Sequence, residues 1–134
     1  MSLDPLFDAA LAAYRRAYAP YSNFPVGAAI RTPEGVIFSG ANVENAAYPA
    51  GTCAEAGAIA AMITGGGKRI AEIVVVGGGE GLCTPCGACR QRIREFALPD
   101  CPIRIAGPDG ARAAFTLAEI LPHSFGPDNL GKAG

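Results

Sequence analysis

Ile73-Val74-Val75-Val76 decides how this chain must fold. Four branched apolar residues in a row suit a strand covered on both faces, since a strand with one wet face would alternate with polar positions. A strand buried on both sides needs helices above and below it. The surrounding sequence supplies them. Before it, Cys53 to Ile63 is almost wholly small and apolar and ends at a run of three glycines, which suits a helix buried in a core or between subunits. After it, Cys86 to Ala97 suits a helix closed by Pro99.

Working outward, Asp4-Pro5 reads as an N-cap with proline in the first turn. Leu6, Phe7, Ala10, Leu11, Tyr14, Ala17 and Tyr18 follow at helical spacing, and Pro20 ends the run. The segment from Ala19 to Pro25 is too rich in proline and polar residues for regular structure. Val26 to Ile30 and Val36 to Phe38 flank Thr32-Pro33-Glu34-Gly35, a type I turn signal, so they form a hairpin. Ile103 to Ala106 and Arg112 to Phe115 flank Gly107-Pro108-Asp109-Gly110 as a second hairpin. Thr116-x-x-Glu119 is a capping box that opens a last short helix. The resulting order is helix, two strands, helix, strand, helix, two strands, helix, and the economical arrangement is an α/β fold: a mixed sheet with helices on both faces.

The totals set bounds. A chain of 134 residues with 50% hydrophobic residues suits one domain over its whole length, 1–134, with an ample core. A formal net charge of −1 argues against a groove for polymeric DNA or RNA, which needs a basic excess. No segment resembles a signal peptide or a membrane span. Five cysteines, an odd number with three of them in C-x-x-C-x-x-C, argue for metal in a reducing cytoplasm rather than for a disulfide framework. Lys68 after the glycine run does not make a phosphate loop, because Arg69 stands where serine or threonine is needed. Gly77 to Gly81 lacks the partners of a dinucleotide fingerprint.

Chemistry concentrates in two stretches, Thr52-Cys53-Ala54-Glu55 and Thr84-Pro85-Cys86-Gly87-Ala88-Cys89-Arg90. A ligand, one residue, then glutamate, followed later by Pro-Cys-x-x-Cys, is similar to the pattern of zinc deaminases. Cys53, Cys86 and Cys89 would supply three sulfurs, and three ligands leave a coordination position open for water, as catalytic zinc requires. Both ligand stretches are expected at helix starts, where the helix dipole offsets thiolate charge. Competing interpretations exist. Thr52-x-x-Glu55 is also a capping box in form. Cys83, Cys86, Cys89 and Cys101-Pro102 approximate an iron–sulfur run, but the last spacing is far too long. A thioredoxin-like dithiol would leave Cys53-Ala54-Glu55 unexplained. Cys83 is expected on the loop before the helix, and His123, between Pro122 and Ser124, in a surface loop. Asn42-Val43-Glu44-Asn45 suits a strand end meeting solvent; the functional alternative is that Asn42 and Glu44, two residues apart on one strand face, face one pocket.

With these residues in view, the chain resembles the small homotetrameric cytidine deaminases from about Tyr14 to Leu130. The likeness is carried by Ala19 to Ala28 (APYSNFPVGA), Asn42 to Tyr48 (NVENAAY), Cys53 to Glu55, Pro85 to Gln91 (PCGACRQ) and Leu121 to Pro127 (LPHSFGP). The resemblance implies a three-layer α/β/α sandwich on a five-stranded mixed sheet. It implies one zinc ion per chain on Cys53, Cys86 and Cys89, with Glu55 as proton shuttle. It further implies that Phe24 packs on the pyrimidine, that Asn42 and Glu44 bind the ribose hydroxyl, and that the backbone of Ala54 and Thr84 holds the base. Tyr48 and Phe125 would complete a neighbouring subunit's pocket in a homotetramer. The implied reaction is hydrolytic deamination of the nucleosides cytidine and deoxycytidine to uridine and deoxyuridine, in pyrimidine salvage. Blasticidin deaminases share Pro-Cys-Gly-x-Cys-Arg-Gln, but Phe24 and Asn42-Val43-Glu44-Asn45 favour a plain nucleoside. Many relatives carry arginine just after the glutamate where this chain has Ala56. Arg90, one turn beyond Cys86, or the helix dipoles are expected to compensate.

Overall fold

The apolar run at 73–76 is the core of β3 (Glu72–Gly77), the middle strand of a five-stranded sheet in the computed structural model, which describes residues 4–132. Its neighbours on one side are β1 (Val26–Arg31), then β2 (Ile37–Ala41) at the edge. On the other side lie β4 (Pro102–Gly107) and β5 (Gly110–Thr116). Only β3 and β4 run parallel; β1 is antiparallel to both β2 and β3, and β5 to β4. Among the described residues four α-helices complete the expected order: α1 (Pro5–Arg15), α2 (Ala54–Thr64), α3 (Gly87–Phe96) and α4 (Leu117–Ile120).

Alternate residues of β3 face opposite layers, as a pleated strand requires. Ile73 and Val75, with Ala28, Ile30, Ile103 and Ile105, pack on Ala58 and Met62 of α2, Ile93 of α3 and Leu117 of α4. Val74 and Val76, with Ala29 and Ala106, pack on Leu6 and Ala10 of α1. This is the expected three-layer α/β/α sandwich.

Local rules explain the helix ends. The Asp4 carboxylate accepts from the Phe7 amide at 3.1 Å and Pro5 sits in the first turn, as expected from Asp4-Pro5. The first helix stops earlier than the spacing of Ala17 and Tyr18 suggests, because the Tyr18 backbone is drawn into pairing with the chain after β2. Its amide donates to the Asn42 carbonyl at 3.0 Å and its carbonyl accepts from the Glu44 amide at 2.8 Å. The first hairpin turn closes with the Gly35 amide donating to the Thr32 carbonyl at 2.9 Å, and Gly35 has φ 88°. Gly40 sets the height of α2 over β2, since a Cβ there would lie 2.3 Å from the Ala58 amide nitrogen. Among the described residues no helix is long and apolar enough to cross a membrane.

Candidate metal and catalytic site

Cys53 is the N-cap residue of α2, with extended φ −86° and ψ 162° and no side-chain cap bond. Its carbonyl takes the first intrahelical bond, from the Gly57 amide at 3.1 Å. Thr52 lies outside the helix, its amide and carbonyl both bonded to Val43. The helix therefore starts one residue too late for Thr52 and Glu55 to form a capping box. Glu55 is the second helical residue and is only 5% exposed.

Cys86 is the N-cap residue of α3, again with an extended backbone (φ −66°, ψ 169°) and no side-chain cap bond. Cys89 follows in the first turn and is fully buried. Cys53 and Cys86 thus each open a helix, where the helix dipole offsets thiolate charge. The Cys53 and Cys89 sulfurs and a Glu55 carboxylate oxygen lie within 4.8 Å of one another. The Cys53 and Cys89 sulfurs are 2.50 Å apart, but their Cα atoms stand 7.7 Å apart. That backbone span exceeds what a disulfide bridges without movement, so the pair is read as two sulfurs aimed at a common point. The third expected ligand is placed differently: Cys86 is exposed and its sulfur stands outside this group.

A residue the sequence reading passed over dominates the charge at the cluster. Arg92 Nη1 donates to Cys89 Sγ at 3.4 Å and to Cys53 Sγ at 3.6 Å. The expectation for Arg90 is not met, because its guanidinium is committed elsewhere. It donates to the carbonyls of Pro85 at 2.7 Å and Ile120 at 2.8 Å, and to Thr84 Oγ1 at 3.3 Å. The overlooked signal was spacing: Arg92 is three residues after Cys89 and shares its helix face, as i and i+3 do. Burial pushes the Glu55 carboxyl above its ordinary range, opposed by its own backbone amide and by the Arg92 charge.

The remaining cysteines are packing residues in position. Cys83, on the loop before α3, covers Gly77, where an added Cβ would meet the Cys83 Cβ at 2.2 Å. Burial raises its thiol pKa to about 11. Cys101 is buried in the main core, and burial raises its thiol to about 12. Neither joins a group of metal-ligand type among the described residues. His123 is exposed on a loop with φ 53°.

Beside the cluster opens a cavity of about 480 Å³ whose lining includes Tyr21, Asn42, Glu44, Tyr48, Thr52 and Cys53. Asn42 and Glu44 do share it, although β2 ends at Ala41. Both also hold the 19–25 loop in place. Asn42 accepts from the Val26 amide at 2.9 Å and donates to the Phe24 carbonyl at 3.0 Å. Glu44 accepts from the amides of Tyr21 at 2.9 Å and Ser22 at 3.0 Å and from the Ser22 hydroxyl. The Ser22 hydroxyl bond is the main reason its carboxyl is held below the ordinary range. Phe24 is 40% exposed at the end of that loop. Ala54 is buried at the start of α2, and Thr84 is half-buried before α3. Tyr48 is 76% exposed and meets Tyr21 edge-on, with ring centroids 6.1 Å apart. Phe125 lies apart from this cavity, 58% exposed, its carbonyl bonded to Gln91 Nε2 at 2.8 Å.

The donor set fits zinc. Two convergent sulfurs, a guanidinium that favours their anionic form, and an adjacent carboxylate match a borderline-soft divalent cation better than a hard one.

The family model described as "Cytidine and deoxycytidylate deaminase zinc-binding region" matches residues 2–104. The chain is 38% identical over 133 residues to a cytidine deaminase of Sporosarcina psychrophila, covering 99% of this chain and 98% of that one. It is 35% identical over 130 residues to one of Halalkalibacterium halodurans, covering 97% and 98%. The crystal structure of a cytidine deaminase from Burkholderia pseudomallei superposes with TM-score 0.85 at 41% identity, covering 93% of this chain and 100% of that one. A cytidine deaminase from Mycobacterium leprae gives TM-score 0.78 at 41% identity, covering 92% and 99%.

Proposed function

The chain belongs to the cytidine and deoxycytidylate deaminase family, and on that premise we propose that it catalyses zinc-dependent hydrolytic deamination of cytidine and deoxycytidine. Water enters, ammonia leaves, and the products are uridine and deoxyuridine, as pyrimidine salvage requires. The observation that carries this reading is Glu55, a buried carboxylate within 4.8 Å of two convergent sulfurs beside a nucleoside-sized cavity. Residues 1–134 would act as one catalytic domain, of which 1–3 and 133–134 lie outside the described residues.

Cys53, Cys86 and Cys89 would hold the one zinc ion per chain, Cys86 as the third sulfur from the N-cap of the helix that bears Cys89. When bound, zinc lowers the pKa of a coordinated water towards neutrality. Glu55 accepts the proton of the attacking water and hands it to ring N3, which makes C4 electrophilic. With the water oxygen now bonded to C4 as a hydroxyl, Glu55 takes that hydroxyl's proton and delivers it to the amine, so that the C4–N bond breaks, ammonia leaves and the C4 carbonyl forms. One carboxylate serving as base and then acid suits a group whose burial holds its pKa above the ordinary range. Phe24 would pack on the base, the backbone of Ala54 and Thr84 would hold it, and Asn42 and Glu44 would receive the ribose. The exposed rings of Tyr48 and Phe125 support an assembly in which neighbours complete each other's pockets, a homotetramer in the cytoplasm.

The test is ammonia release from cytidine and deoxycytidine by the purified protein, before and after zinc removal by a chelator. The expected result is turnover that tracks zinc content, saturating at one ion per chain, and returns on adding zinc. A fully zinc-loaded protein that releases no ammonia from either nucleoside overturns the reading.

A further inference from the structure

We propose that Arg92 is the residue that offsets thiolate charge at this metal site, a positioning residue that reaches both sulfurs from α3. The inference rests on the reading of Cys53 and Cys89 as ligands. A divalent cation held by three thiolates leaves a surplus negative charge, which weakens its pull on water unless nearby positive charge balances it. Arg92 provides that balance through one nitrogen, Nη1, placed 3.4 Å from Cys89 Sγ and 3.6 Å from Cys53 Sγ. A single donor shared between two sulfurs holds them at a common point as well as compensating their charge.

The other guanidiniums of α3 are excluded by their own partners. Arg90 is bonded to the Pro85 and Ile120 carbonyls. Arg94 donates to Ser124 Oγ at 2.9 Å and to the Asp128 carboxylate at 2.6 Å. These two lie four residues apart and tie the helix to the C-terminal segment. Arg92, between them in sequence, shares the face of Cys89. Among the described residues it forms no ion pair with a carboxylate, so its charge is directed to the sulfurs and, at longer range, to Glu55. Ala56 makes room for it: Ala56 and Arg92 line one cavity of about 400 Å³ between α2 and α3. A long side chain at position 56 would compete for that space, so the small residue there and the arginine on the facing helix form a matched pair.

Two substitutions separate charge from packing. Arg92→Met keeps the aliphatic stem and removes the charge, whereas Arg92→Lys keeps a positive donor. Three measurements apply: zinc affinity by chelator competition, the sulfur-to-metal charge-transfer absorption of the cobalt-substituted protein, and kcat and KM for cytidine. For Arg92→Met we expect zinc to bind roughly tenfold to a hundredfold more weakly. The cobalt band should move to longer wavelength, because a thiolate that loses its donor gives up electrons more easily. The kcat should fall with KM little changed, since Arg92 does not line the nucleoside cavity. Arg92→Lys should stay closer to the parent on all three. The proposal is overturned if Arg92→Met matches the parent in zinc affinity and cobalt band, or if both variants are equally impaired. A parent protein that takes up neither zinc nor cobalt overturns the metal reading and this proposal together. A parent that binds metal but leaves cytidine intact overturns the proposed activity alone, and the affinity and the cobalt band still judge Arg92.

Discussion

Thr52-Cys53-Ala54-Glu55 and Thr116-Leu117-Ala118-Glu119 share one pattern, threonine, any residue, alanine, glutamate, and each lies at the start of a helix. They fold into different things. At α4, Thr116 is the N-cap: Thr116 Oγ1 accepts from the Glu119 amide at 3.3 Å, and Glu119 Oε1 accepts from the Thr116 amide at 2.9 Å. At α2 the N-cap is Cys53, and Glu55 turns its carboxylate to the sulfurs instead. The cause is where the threonine carbonyl goes. An N-cap carbonyl must accept the first intrahelical bond, but that of Thr52 is taken by the Val43 amide at 3.0 Å. A bridge to Val43, in the segment after β2, thus moves the helix start by one residue. It turns a capping residue into a buried carboxylate beside two thiols.

The largest test of this contrast is neutralising each glutamate. With Glu55→Gln we expect zinc to be retained and turnover to fall by at least about 10²–10⁴-fold, the range for a lost general acid–base group. The fold should not suffer, because a buried carboxyl whose pKa is already raised gains little from carrying charge. Glu119→Gln, on an exposed helix end, should leave kcat unchanged. Steady-state rates, zinc content and melting temperatures for both variants check this. A Glu55→Gln protein that keeps its rate but melts early would show that the two glutamates do the same job.

The sequence made the sheet legible for a simple reason. Residues 73–76 had no polar alternation, so two covering layers were forced, and turn residues at Thr32 to Gly35 and Gly107 to Gly110 fixed both hairpins. The cysteine and glutamate spacing likewise placed Cys53, Cys86 and Cys89 at helix starts. What escaped depended on contacts between distant segments. Tyr14, Ala17 and Tyr18 keep a helical period, yet the pairing of Tyr18 with residues 42 and 44 ends the helix first. One turn on from Cys86 stands Arg90, but the cysteine in the cluster with Cys53 is Cys89, and three residues on from it stands Arg92. The outward position of Cys86 has no sequence signal, since its spacing is that of a ligand.

A smaller effect separates the two threonines. Thr116→Ala removes an N-cap oxygen and should destabilise the protein by about 1 kcal/mol without touching kcat, read from denaturant midpoints. Thr52→Ala should cost less, because the bonds of Thr52 to Val43 are made by backbone atoms that alanine retains. Equal losses at both sites would mean that the Thr52 hydroxyl does cap α2 in solution and that the helix starts at Cys53 rather than Ala54.

The smallest effect comes from a third helix start, where a cap also carries an ion pair. Asp4 caps α1 and is paired with Arg104 of β4, through Oδ2 at 2.6 Å and Oδ1 at 3.1 Å. The bond from Arg104 is the main reason the Asp4 carboxyl is held below its ordinary value of 3.8, with burial opposing and the Phe7 amide and Arg104 charge assisting. A carboxylate with a lowered pKa in the folded protein stabilises it above the unfolded value, and the contribution is lost as pH falls through the folded one. Asp4→Asn keeps a good cap and removes the pair. Because Asp4 and Arg104 are partly exposed, at 40% and 29% of their side chains, the loss at neutral pH should stay under about 1 kcal/mol and shrink with added salt. Melting curves of both proteins should therefore differ by a constant margin from neutrality to about pH 4, then converge as the parent's Asp4 takes up its proton. A margin that persists in more acid solution would place the effect in the cap bond, and α1 would then join α4 as a helix start held by hydrogen bonding alone.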